Sequence, residues 1–138
     1  MRPLILILAV LGISVLSCST QPSGPSSERD EIFRRAFEQH SRNLPVEGRS
    51  TVKKILSDDN EGSHHQRFIL QLDSGQTLLI THNIDIAPRI PDLREGDEVE
   101  FQGVYEWNPE GGVVHWTHHD PQGRHPPGWL KHKGNTYQ

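Results

Sequence analysis

The chain has 138 residues, a formal net charge of −4 and a 33% share of hydrophobic residues, much of it in the first sixteen positions. That length fits one domain with extras, and so modest a core suits a small barrel better than a layered α/β enzyme. The acidic balance, with no basic run, argues against duplex nucleic acid as a partner, and a single cysteine excludes an intramolecular disulfide and a CxxC-type zinc site.

Residues 1–17 read as a signal peptide. Arg2 precedes Leu4–Leu16, an uncharged apolar run that suits a signal-peptide core and is short for a transmembrane helix. The run leads into Val15-Leu16-Ser17-Cys18, which resembles a bacterial lipobox except that Leu16 fills a slot usually held by a small residue. Lipidation at Cys18 is the expectation, with the membrane as partner through that anchor, since several acyl chains hold where one is marginal. The domain would then face the periplasm. Ser19 in place of Asp after the cysteine favours the outer membrane, by resemblance to Gram-negative lipoprotein sorting. Residues 18–27 read as a tether, polar, aperiodic and broken by Pro and Gly.

Residues 28–45 read as one amphipathic helix. Ser27 is its expected cap, Asp30 and Glu31 suit its first turn, and Ile32, Phe33, Ala36 and Phe37 share a face. Leu44-Pro45 is its expected end. Residues 46–138 then change to the two-residue period of strands. The expected strands are 48–56, 65–72, 77–82, 98–107 and 112–117, separated by turn residues such as Asp58–Gly62, Asp73-Ser74-Gly75 and Asn108–Gly111. Gln66, Phe68, Leu70 and Leu72 fall on one face, as do Leu78, Ile80 and His82, and Val99, Phe101, Gly103 and Tyr105. The connection 83–94 carries Ile84, Ile86, Ile90 and Leu93 and should pack across the barrel mouth.

Five strands with a longer connection after the third predict a mainly β fold, a small five-stranded OB-like barrel with one N-terminal helix. Leu93–Gly103 (LREGDEVEFQG) resembles the L-x-x-G-D-x-V-x-F-x-G lead-in to the fourth strand of many OB-folds. Longer blocks go further. HQRFIL (65–70), GQTLLITHNIDIAPRIP (75–91), GDEVEFQGVYEWNPEGG (96–112), HWTHHDP (115–121) and GWLKHKGNTYQ (128–138) resemble a family of small exported bacterial proteins of unknown function. That resemblance carries over no catalytic residue.

The chemistry must therefore come from the residues. His82, His115, His118, His119, His125 and Asp120 are the types that bind zinc or copper, although they follow no recognised ligand spacing. Asp120-Pro121 must take the chain out of the sheet, and the 115–125 histidines would then fold back toward His82 and Asp85. The competing reading has these imidazoles bonding the backbone of a proline-rich loop. His65 and Arg67 are a second candidate pair, for an anion. Trp107, Trp116, Trp129, Tyr105 and Tyr137 either stack on a ligand or fill the core. No nucleophile elbow is present. Two roles fit: a non-enzymatic binding or envelope-interaction module, or a metal-dependent hydrolase, phosphodiesterase- or nuclease-like, using the His/Asp cluster.

Overall fold

The structure, a computed structural model, describes residues 25–138. The expected signal peptide, Cys18 and the start of the tether lie outside the described residues. Helix α1 spans Pro25–Glu38 and so begins inside the stretch read as tether. Proline suits a first helical position, where its missing N–H costs no hydrogen bond. The helix also ends well before Leu44-Pro45. His40 takes φ 51°; its N–H donates to Phe37 O at 3.1 Å, and that of Ser41 donates to Ala36 O at 2.8 Å. Those two bonds close a helix on a left-handed residue, a place glycine usually holds. Here the His40 ring stacks on Trp107 at 4.0 Å, an attraction that offsets part of the strain. Of the expected apolar face, Phe33 and Ala36 are buried, whereas Ile32 is 46% exposed. Phe33 lies against Phe101 and Tyr105, at 5.8 and 6.4 Å between ring centres.

Seven strands follow: β1 (Leu44–Ile55), β2 (His65–Gln71), β3 (Thr77–Asn83), β4 (Glu98–Glu106), β5 (Val113–His115), β6 (Trp129–His132) and β7 (Asn135–Tyr137). The order β1-β2-β3-β5-β4, with β4 pairing back onto β1, closes a five-stranded OB-like barrel. β3 and β5 run parallel; the other pairs are antiparallel. The inward faces are those the alternation predicts: Phe68, Leu70, Leu78, Ile80, His82, Val99, Phe101 and Tyr105 are all buried.

Four strands differ most from expectation. β1 begins earlier, at Leu44, with Pro45 opposite Val104 on β4. β2 joins β1 only from Thr51 onward, so Pro45 has no strand on its other side and removes no ladder donor. β5 is shorter than 112–117, because Trp116 turns the chain with φ 53°. The β6–β7 hairpin was not anticipated. It turns on Lys133 and Gly134, both at positive φ, the geometry of a two-residue hairpin loop. β5 pairs with Val104–Glu106 and β6 with Glu100–Gln102, so the two share one edge of β4.

The 83–94 connection does pack inward in part. Ala87 and Ile90 are buried, and Gln66 holds both backbone groups of Ile90, donating to its O at 3.0 Å and accepting from its N–H at 2.9 Å. Ile86 instead stands 56% exposed.

Candidate functional site

A cleft of about 460 Å³ opens where the outward residues of β2 and β3 meet the segment leaving β5. His65, Thr81 and Asn83 come from the strands, Ser63 and Ile86 from the flanking connections, and His115, Trp116, His118, Arg124 and His125 from the departing segment. Its size is that of a small-molecule site.

Local bonding explains how the departing segment folds back. Trp116 in the left-handed region ends the alternation of β5, so His115 and His118 are no longer bound to opposite faces. Asp120 then builds a turn. Its Oδ1 accepts Gln122 N–H at 2.9 Å, and its Oδ2 accepts the N–H of Arg124 at 2.8 Å and Arg124 Nε at 3.2 Å. Pro121 fixes φ within that turn and Gly123 supplies φ 64°. The turn returns Arg124 and His125 to the cleft. Farther on, Gly128 donates to His118 O at 3.1 Å. A Cβ on Gly128 would overlap the carbonyl oxygen of Trp116, so only glycine fits there. Gln102 on β4 fastens the same stretch, donating to Pro127 O at 2.7 Å and accepting from Trp129 Nε1 at 3.1 Å.

The cleft is a stack of rings. Trp116 lies 4.7 Å from His115 and 4.8 Å from His125, each at 17° between planes, and His118 meets His125 edge-on at 4.9 Å. Three imidazoles there use Nδ1 in the same way: His65 with Ser63 O at 2.9 Å, His118 with His119 O at 3.0 Å, and His125 with Pro126 O at 2.8 Å. A carbonyl only accepts, so each Nδ1 carries the proton. In a neutral ring, Nε2 is then a bare acceptor. Burial holds the pKa of His118 and of His115 below the ordinary imidazole value, and for His115 the carboxylate of Glu106, 3.9 Å away, works the other way. His115 Nε2 is buried without a hydrogen-bond partner among the described residues.

Residues 13–138 match the family described as Protein of unknown function (DUF3465). The chain belongs to that family. No curated protein matches it.

In this DUF3465 chain the candidate residues divide into three groups. His65, His115, His118 and His125 gather at the cleft. His82 and Asp120 are structural: His82 is fully buried, with Nδ1 2.8 Å from Thr117 Oγ1 and Nε2 3.0 Å from Pro88 O, and burial drives its pKa down to about 4. Asp120 spends both oxygens on its turn, whose N–H donors hold its pKa at about 2. The remainder lie elsewhere. His119 is exposed, Arg67 donates through Nε to Ser57 O at 2.9 Å, and Asp85 pairs not with His82 but with His64, accepting from its backbone N–H at 2.9 Å and lying 2.8 Å from its Nδ1. Among the described residues no three His, Cys, Asp or Glu side chains are grouped to hold a metal ion. Sequence reasoning passed over Arg124, Thr81 and Asn83. The outward positions on β3, alternating with Leu78, Ile80 and His82, were the available signal for the last two. It also missed His132, whose Nε2 lies 2.8 Å from Asp97 Oδ2.

Proposed function

We propose that the chain is a binding module held at the bacterial envelope by a lipid on Cys18, taking a small polar ligand into the cleft beside Trp116. Trp116 is the observation that carries the reading. A bulky residue at φ 53° costs on the order of 1–3 kcal/mol. Such strain is retained where the surroundings over-determine it, and binding sites are among those places. Here it yields an indole still 36% exposed, in contact with two imidazoles at the lip of a cleft. Filling the core does not require that. Asn83, Thr81 and Ser63 add neutral polar groups around the rings. The hydrolase alternative has less support, because His82 and Asp120 have their ring nitrogens and carboxylate oxygens engaged in holding the fold.

Amide-shift mapping tests the cleft. Muropeptides, nucleotides and phospholipid headgroups are titrated one at a time into the isotope-labelled protein. At least one should shift Asn83, Trp116 and His125 together, and Trp116→Ala should abolish that response. Binding that shifts only residues outside the cleft would overturn the reading. For the anchor, Cys18→Ala should move the protein out of the membrane fraction; an unchanged membrane fraction would remove lipidation from the account.

A further inference from the structure

We infer that the cleft is an acid-promoted site for a small oxyanion, a phosphate or carboxylate group held by charged imidazoles beside Arg124. This rests on the binding reading above and adds the ligand's chemistry.

The first ground is composition. The cleft is lined by four histidines and one arginine and by no carboxylate, in a chain whose formal charge is −4. Two other sizeable clefts mix both signs of charge. One, of about 300 Å³, sets Asp97, Glu98 and Glu100 against Lys131, His132 and Lys133; another, of about 410 Å³, sets Asp30, Asp73 and Glu98 against Arg29 and Arg49. Of these three, the histidine cleft alone has basic groups with no carboxylate in its lining.

The second ground is tautomeric. Backbone carbonyls hold the Nδ1 protons of His65, His118 and His125. Protonation can therefore add its proton only at Nε2, converting each of these atoms from acceptor to charged donor. These Nε2 atoms have no hydrogen-bond partner among the described residues. A neutral cleft presents acceptors, which an oxyanion avoids. An acidified one presents up to three charged donors with a guanidinium alongside, which an oxyanion favours.

The charged groups packed around the rings fit this scheme. Glu106 from β4 faces His115 at 3.9 Å, and Asp120 faces His125 at 3.9 Å, each close enough to support a charged ring. Asp120 is already engaged by Arg124, and Asp85 by His64 on the neighbouring connection, so neither is free to fill the cleft in place of a ligand. His82 beneath stays neutral through most of the range, to about pH 4. Burial makes His115 and His118 resist charging alone, so anion and proton bind together there, each strengthening the other.

Sulfate is the first probe, because its charge does not change between pH 5.5 and 8.0. Titrated into the full-length protein, it should bind about tenfold or more tightly at the lower pH. Imidazole titration by NMR should show the His118 pKa, which burial depresses, rising when sulfate is saturating. His125→Gln should remove most of the pH dependence, whereas Arg124→Gln should weaken binding at both pH values. Inorganic phosphate and phosphatidylglycerol vesicles separate the sources. Binding of the free anions without vesicle binding assigns a soluble oxyanion, and vesicle binding at acid pH assigns a lipid headgroup. Equal sulfate affinity at both pH values, or imidazole pKa values indifferent to sulfate, would overturn the inference. If neutral ligands still shift Trp116 and Asn83 in that case, the binding-module reading stands alone; if nothing shifts them, both fall.

Discussion

The Nδ1 atom of His82 lies 2.8 Å from the hydroxyl of Thr117, and neither residue is exposed at all. Because Pro88 O can only accept from Nε2, Nδ1 is the acceptor and Thr117 the donor. One neutral imidazole thus fastens β3 both to the 83–94 connection and to the segment that carries the cleft.

Removing this link should be costly without touching the cleft rings themselves. His82→Ala should lower unfolding free energy by about 2–4 kcal/mol, through a cavity and two orphaned partners. Thr117→Val, which preserves shape, should cost about 1–3 kcal/mol. Urea denaturation of both variants checks the pair; a Thr117→Val protein as stable as the parent would show that the bond contributes nothing.

The same imidazole sets a pH dependence. Its folded pKa, about 4, lies below its unfolded value of about 6.5. Between these values the unfolded chain binds the extra proton, so stability rises with pH across the window. The contribution is complete above about pH 6.5 and is lost as pH falls toward 4, about 3 kcal/mol in all. His115 and His118, also depressed by burial, act in the same direction. Denaturation midpoints from pH 7 to pH 4 should fall steeply in the parent and less in His82→Gln.

Gly128→Ala should be among the most damaging conservative changes in the chain. The added methyl would meet the Trp116 carbonyl and lie 2.9 Å from both Gln102 O and Thr117 Cα. All three belong to backbone, which cannot yield as a side-chain tip can. A loss of about 2–4 kcal/mol is expected, together with altered Trp116 fluorescence. Gly62→Ala, with φ 71° and open space around it, should cost only about 1 kcal/mol. Equal effects would mean that Gly128 is not a contact point.

Phe101→Ala should cost about 3–5 kcal/mol. The ring is fully buried, packs on Phe33, and fills the notch left by Gly48, where a Cβ would lie 2.6 Å from its Cζ. Thermal melting measures this directly.

The barrel was legible because alternation along β2, β3 and β4 is strict: Phe68, Leu70, Ile80, Val99 and Phe101 could face only one way. The helix ends were not legible, since His40 closes α1 with a backbone angle that histidine rarely adopts. Trp116 hid the end of β5 in the same way: Val-Val-His-Trp-Thr reads as a continuous strand until its φ is known. β6 and β7 did leave a signal, WLKH and NTY around Lys-Gly, but Lys-Gly is a weaker hairpin mark than Asn-Gly. For the site, residue types pointed to histidines 115, 118 and 125, which the structure gathers at one cleft. Which partners they take depends on carbonyls of the loop, and composition does not reveal those.

Closing the barrel pairs Leu44 with Tyr105 and Thr51 with Glu98, residues far apart along the chain. β1, β2 and β3, by contrast, meet through nearby turns. Loop-closure entropy makes the distant pairing the slow event, and barrels of this kind fold over about milliseconds to seconds. The three-strand meander should therefore form ahead of closure, and the ring stack around Trp116, which needs β4 and β5 in place, should come afterwards. Pulsed hydrogen exchange during refolding would see this as early protection at Leu70 and Ile80 and late protection at Val114 and Gly128; simultaneous protection would instead mean that the barrel condenses in one step. On that order of events the cleft is the part of the molecule with the shortest history in each folding cycle, and partly folded chains would lack it.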